Sequence, residues 1–135
     1  MVCETKLSVR SYECDSYGHV NNANYLNYLE FARKEFLKFI GFDYNSMIKA
    51  GYGVYVARIE IDYKMPAFLD DELVIRSWSI KKGAVSGVIQ QQILRGDDLV
   101  AGAKVTWAFV DSKGIPVRVP KEFDVPGLYP EKKQP

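Results

Sequence analysis

Cysteine is scarce in this chain. Cys3 and Cys14 are the two in 135 residues and lie outside any CxxC spacing, so neither a disulfide framework nor a zinc knuckle organises the fold. His19 is the sole histidine, which excludes a two-histidine metal site, and we expect no metal and no cofactor. There is no excess of charge of one sign: 18 basic against 17 acidic residues give +1, with no block of like charge, so nucleic acid is not expected as a partner. No apolar run approaches the roughly 20 residues of a membrane-spanning helix. A secretory leader pattern is also missing, and the cytoplasm is the expected compartment. GxxxxGK[ST] and GxGxxG loops are absent, which argues against nucleotide hydrolysis and Rossmann-type cofactor binding; without GxSxG a serine-hydrolase route is disfavoured as well.

What is present is enough apolar material, 47% of residues, for a core of ordinary size. We expect one domain over 1–135, with about 121–135 as a partly flexible C-terminal extension. Five of the six prolines fall after residue 115, and that stretch is assigned no core role. Residues 6–14 alternate loosely, Leu7 and Val9 against Arg10 and Tyr12, and predict a strand. A turn-forming loop with one Gly and three Asn follows over 15–24. Tyr25, Leu29, Ala32, Phe36 and Ile40 then recur at helical spacing, predicting a helix over 24–40, supported by a Glu30–Lys34 pair and stopped by Gly41.

Beyond a polar connection over 43–53, the chain reads as strands. Tyr55, Ala57, Ile59, Ile61, Tyr63 and Met65 alternate with polar or smaller residues, predicting a strand with one buried face that Pro66 ends. Further strands are predicted over 72–82, 85–95 and 99–109, with turns at Lys82-Gly83 and Gly96-Asp97-Asp98. One strand, one helix and four strands without βαβ repeats predict an α+β chain, an antiparallel sheet packed on one helix. Its uncovered edges point to a homodimer or homotetramer.

The string Tyr12-Glu-Cys-Asp-Ser-Tyr-Gly-His-Val-Asn-Asn-Ala-Asn-Tyr25, followed by Tyr28-Leu-Glu-Phe-Ala-Arg33, resembles the signature of the 4-hydroxybenzoyl-CoA thioesterase-like (YbgC-type) single-hotdog family. The later Ile61-Asp-Tyr-Lys-Met-Pro-Ala67 and Asp71-Glu-Leu73 resemble that family's next strands, so the likeness runs from about Leu7 to Pro120. It implies a hotdog fold, a five-stranded antiparallel sheet curled around one long helix, with sites at a dimer interface. The implied activity is hydrolysis of an acyl-CoA thioester to free acid and CoA. Carried over by position, Asp15 matches the catalytic carboxylate, acting as nucleophile or general base, and Asn22 the residue whose backbone N–H polarises the carbonyl. Several bacterial members have His where this chain has Asn22, and an apolar residue where it has His19.

The residues suit that chemistry. A thiolate leaves readily, so a carboxylate and a helix N-terminus, whose free amides stabilise an oxyanion, suffice. Partial burial against Tyr12, Tyr17 and Tyr25 would strengthen Asp15 as a base, and these tyrosines join the substrate-binding candidates. Lys64, Lys81 and Lys82, with Arg76 and Arg95, are candidates for the CoA phosphates. His19 is a further catalytic candidate. Each candidate has a plainer alternative: Asp15 as an Asx-turn residue, His19 as a hydrogen-bonded structural residue, the asparagines as helix caps, Glu30 and Arg33 as a surface or subunit ion pair, and the basic residues as solvated strand ends. Two other functions share such a fold: an acyl-thioester hydratase or dehydratase, whose Gly-Asp-x-Asn-Pro context is missing here, and a non-catalytic acyl-CoA-binding protein.

Overall fold

The computed structural model describes residues 1–131. Strand β1 (Cys3–Ser8) leads through a 3-10 turn (Ser11–Glu13) and a loop into α1 (Asn22–Phe39) and a short α2 (Tyr44–Lys49). Four strands follow: β2 (Gly53–Tyr63), β3 (Glu72–Lys82), β4 (Ser86–Arg95) and β5 (Asp98–Val110). They form one antiparallel sheet in the order β1-β3-β4-β5-β2. The α+β architecture read from the sequence is the one observed.

Helix α1 lies on the sheet because its apolar stripe is continuous. Tyr25, Tyr28, Leu29, Ala32 and Phe36 are each 3% exposed or less, and Trp78 of β3 is equally buried. Gly41 ends the helix in the left-handed region (φ 77°), where a side chain would be strained. The expected Glu30–Lys34 and Glu30–Arg33 pairs do not form among the described residues. Lys38 pairs with Glu35 at 3.5 Å instead, and Arg33 reaches Gln91 Oε1 at 3.2 Å.

Four expectations are corrected. The first strand ends at Ser8, because the chain coils at Ser11–Glu13 and buries Glu13 rather than alternating through it. The 43–53 connection contains α2, capped by Asp43 through Ser46 N–H and anchored by buried Met47. The predicted alternation of β2 is broken by a bulge between Val56 and Arg58, so Val56, Ile59, Ile61 and Tyr63 pair with buried β5 residues while Tyr55 pairs with Ala108. This core-side row is only partly buried within the chain, with Ile59 and Ile61 half-buried but Val56 and Tyr63 47% and 45% exposed, because α1 packs on β1 and β3 and leaves the β2 edge uncovered.

The C-terminal segment does supply core: Val119, Phe123 and Leu128 are buried with Phe36, Ile40, Trp107 and Phe109. Proline breaks regular structure but does not prevent the residues between from packing. Of the expected flexible extension, residues 132–135 lie outside the described residues. No helix among the described residues is long and apolar enough to cross a membrane.

Candidate active site

The loop from Asp15 to Asn21 is a closed turn. Cys14 and Val20 form an antiparallel bridge, and Asp15 N–H donates to His19 O at 2.7 Å. Asn21 N–H donates to Glu13 O at 2.8 Å, which draws the start of α1 against the start of the loop. Asp15 and Asn22, seven apart in sequence, thereby leave from neighbouring points.

The Asp15 side chain makes the Asx turn expected of it. Its Oδ1 accepts Tyr17 N–H at 2.9 Å and His19 N–H at 3.2 Å, while Oδ2 has no partner among the described residues. One oxygen holds the carboxylate in place and the other is left to act. Asn21 caps α1 by accepting Ala23 N–H at 3.0 Å, and Asn24 N–H donates to Asn21 O at 2.9 Å. Among the described residues the Asn22 N–H finds no acceptor, at the end where the helix dipole is positive.

The other candidates separate into those at this end of the sheet and those that are not. His19 pairs its backbone with Phe68 and sets its ring edge-on to the Phe68 ring, centroids 5.0 Å apart; its imidazole has no hydrogen bond to Asp15. Tyr17 and Tyr12 are 83% and 76% exposed, so neither covers Asp15 within one chain. Tyr25 is buried and structural, its hydroxyl accepting Ala67 N–H at 3.1 Å. Lys64 is exposed and follows Tyr63, the last residue of β2, whose hydroxyl donates to Asn22 O at 3.2 Å.

The remaining cations do not gather into one cluster. Lys81 and Lys82 end β3, ten residues and about 33 Å along the strand from Glu72, which neighbours the loop side. Lys82 is also spent: its side chain is 2% exposed, with Asp124 Oδ1 at 3.6 Å, Gly83 O at 2.5 Å and the Tyr129 ring at 5.0 Å. Arg76 lies 3.6 Å from Glu4; Arg95 does lie at the loop end, 5.8 Å over the Phe68 ring and 3.2 Å from Pro66 O, but is bound to Asp71 at 2.8 Å. The phosphate cluster expected from the sequence is not assembled within one chain, because alternate strand residues and strand ends part in space.

Two supports of the site have no signal in local sequence. Glu13 is buried and accepts Arg10 N–H, Nε and Nη2 at 2.8, 3.0 and 2.6 Å and the Tyr28 hydroxyl at 2.8 Å. Burial alone would raise its pKa, but these donors outweigh it and hold the carboxyl below the usual range, while the same burial and bond push the Tyr28 hydroxyl well up. Asp71 accepts Phe68 N–H at 2.8 Å as well as Arg95, and fixes the segment that carries Phe68. Its burial is likewise outweighed, and its pKa is lowered by those two donors.

With this geometry in view, similarity to known proteins becomes informative. Residues 9–126 match the thioesterase-like superfamily. The chain belongs to that family. It is 36% identical over 112 residues to the long-chain acyl-CoA thioesterase FadM of Escherichia coli, covering 82% of this chain and 84% of that protein. It is 30% identical over 128 residues to the chloroplastic acyl-acyl carrier protein thioesterase ATL3 of Arabidopsis thaliana, covering 89% of this chain but 64% of that protein's length. A crystal structure of an Aquifex aeolicus protein, 31% identical, superposes with a TM-score of 0.83 over 89% of this chain and 94% of the other. The sheet and its long helix are the hotdog fold of this superfamily.

Proposed function

We propose that the protein hydrolyses acyl-CoA thioesters. The observation that carries this reading is the pairing, across one closed loop, of an anchored carboxylate with a free oxygen and an unpaired amide at a helix N-terminus. Family membership and the thioesterase names of FadM and ATL3 support it.

In the proposed reaction the thioester carbonyl oxygen lies on the Asn22 N–H and the carbonyl carbon faces Asp15 Oδ2. Oδ2 either attacks the carbon itself or takes a proton from a water that attacks it. The tetrahedral oxyanion that results is held by the Asn22 amide and the helix dipole. Its collapse breaks the C–S bond, and the CoA thiolate leaves with the bonding pair and is then protonated. By the direct route, water cleaves the acyl–aspartyl anhydride in a second step; both routes consume one water and give acid and thiol. His19, edge-on to Phe68, would shape the wall of this site, and Lys64, exposed just beyond the end of β2, is our candidate cation for the CoA phosphates.

The reading includes a homodimer at least. The β2 edge bears exposed Tyr55, Val56 and Tyr63 with unpaired backbone, and a second copy is the partner that would cover both this edge and the open side of Asp15. Thiol release from a panel of short, long and aromatic acyl-CoAs tests the activity. Binding without release across the panel would instead establish a non-catalytic acyl-CoA binder. Sedimentation equilibrium giving only the monomer mass would remove the dimer.

A further inference from the structure

The space between α1 and the sheet is filled unequally. Toward Asn22 it is packed solid by Tyr25, Tyr28, Leu29 and Ala32 against Leu73, Ile93 and Val100. Toward Phe39 it opens into a hollow of ≈ 110 Å³, whose wall includes Leu37, Val56, Ile89, Trp107, Phe109 and Leu128. Its inner residues, Ile89, Trp107, Phe109 and Leu128, are each 4% exposed or less. The charged groups, Glu30, Arg33 and Lys34, come from α1, and the sheet and C-terminal segment contribute apolar side chains alone.

We propose that this hollow receives the methyl end of a long, unbranched acyl chain, and that Leu128 sets how long that chain is. The inference rests on the thioesterase reading above. Asn22, Leu26, Glu30, Arg33 and Leu37 fall within about 80° of arc on α1, so they share one flank. That flank runs beside β2 in the opposite sense, with Tyr63 bonded at Asn22 and Val56 beside the hollow. Between them Leu26 is 40% exposed and Ile59 and Ile61 are half-buried, an apolar route that α1 does not close because it packs on β1 and β3.

The lengths agree with this route. From Asn22 to Arg33 is about 16 Å along the helix, and to Leu37 about 22 Å. An extended chain advances about 1.2 Å per bond, so an acyl group with its carbonyl on the Asn22 amide needs about 14 to 18 carbons to end in the hollow. The hollow is smaller than the roughly 150 Å³ apolar cavity that accepts benzene, so it takes a few terminal methylenes and no more. The sheet and C-terminal side of the hollow offers no partner to a hydroxyl or carboxylate, so a hydrocarbon end packs best against it.

Leu128 is a fixed wall. Ser79 Oγ–H donates to its carbonyl at 2.6 Å, and Gly127 beside it lies so near Ile40 that a Cβ would fall 2.3 Å from the Ile40 Cβ. In the same segment, Asp124 holds buried Lys82 and also accepts the Tyr129 hydroxyl at 2.8 Å. Leu128 lies just beyond the family match, which ends at residue 126.

The test uses the full chain and S-alkyl-CoA thioethers, which cannot be hydrolysed, of about 8 to about 20 carbons, together with the matching acyl-CoAs. Affinity and kcat/KM are expected to rise with length to an optimum and then fall. Leu128→Ala moves the optimum up by about two carbons and Leu128→Phe moves it down, each changing the ratio of kcat/KM for chains either side by about tenfold. Leu128→Met, nearly the same volume, leaves it in place. Should the Ala variant fail to fold, the Phe and Met variants decide. An unmoved optimum in folded Leu128→Phe overturns the ruler, including the case where a second copy's side chain fills the hollow and only sedimentation changes. Thioethers showing the expected length profile while acyl-CoAs release no thiol would support the ruler and refute the hydrolytic reading instead.

Discussion

Glu13 gives the sharpest test of how the site is held. Glu13→Ala removes a carboxylate that is 4% exposed and leaves the Tyr28 hydroxyl, itself 2% exposed, without its acceptor. An orphaned buried hydroxyl costs about 1–3 kcal/mol. Arg10 is 53% exposed at its side chain and regains water, so its share is small, although its backbone N–H also loses a partner. The sum is about 3 kcal/mol, below the upper range for breaking a fully buried ion pair. Urea unfolding followed by tryptophan fluorescence measures it, with m expected to be unchanged. Glu13→Gln keeps an acceptor but loses the charge, and costs less.

The pH dependence fixes the sign. The folded Glu13 carboxyl titrates below its unfolded value, so its stabilisation is complete above about pH 4.3 and is lost as pH falls through the lowered folded value. The stability difference between the wild type and Glu13→Gln should shrink in acid. A Glu13→Ala cost under about 0.5 kcal/mol, or a difference that grows on acidification, would refute the reasoning.

Three further outcomes are expected. Tyr25→Phe leaves buried Ala67 N–H without an acceptor and should lose about 1–3 kcal/mol, read in the same urea titration. Asn21→Ala removes the α1 cap for about 1 kcal/mol and should lower kcat as the helix end frays, whereas Asn21→Asp, an equivalent cap, preserves both. Gly127→Ala forces a side chain against Ile40 and should lower stability by about 1–3 kcal/mol, visible as a drop in Tm.

What the sequence revealed and what it concealed have a common physical cause. Helix α1, strand β3 and the β4–β5 turn were legible because a repeating apolar pattern or a glycine at a turn is a local signal; Glu72–Lys82 is the range read from the pattern. Asp15 and Asn22 were singled out by the resemblance of residues 12–25 to a family signature rather than by a local pattern, and the short closed loop between them is what the structure adds. Glu13 looked like a strand residue, since nothing local says that Tyr28, fifteen residues on, will meet it. Phe68 and Asp71 come to the site through β3 and β4 pairing, and Lys82 is absent from it because β3 carries it to the far end of the sheet, where Asp124 engages it. Short α2 was hidden by having one buried anchor, Met47, and the C-terminal core residues by the prolines around them. Strand β2 shows the converse: its alternation holds from Ile59 to Tyr63, but the bulge between Val56 and Arg58, which no local signal announces, moves Tyr55 off that face, and α1 covers the row only in part.

The division of labour at the site is tested most directly by Asp15→Asn. The amide oxygen still accepts Tyr17 and His19 N–H, so the loop and the melting temperature should hold, while the free Oδ2 is replaced by a nitrogen that neither attacks nor takes a proton. Thiol release from the best acyl-CoA substrate should then fall by about a hundredfold or more at unchanged substrate affinity. A folded Asp15→Asn protein that turns over at the wild-type rate would contradict the assignment.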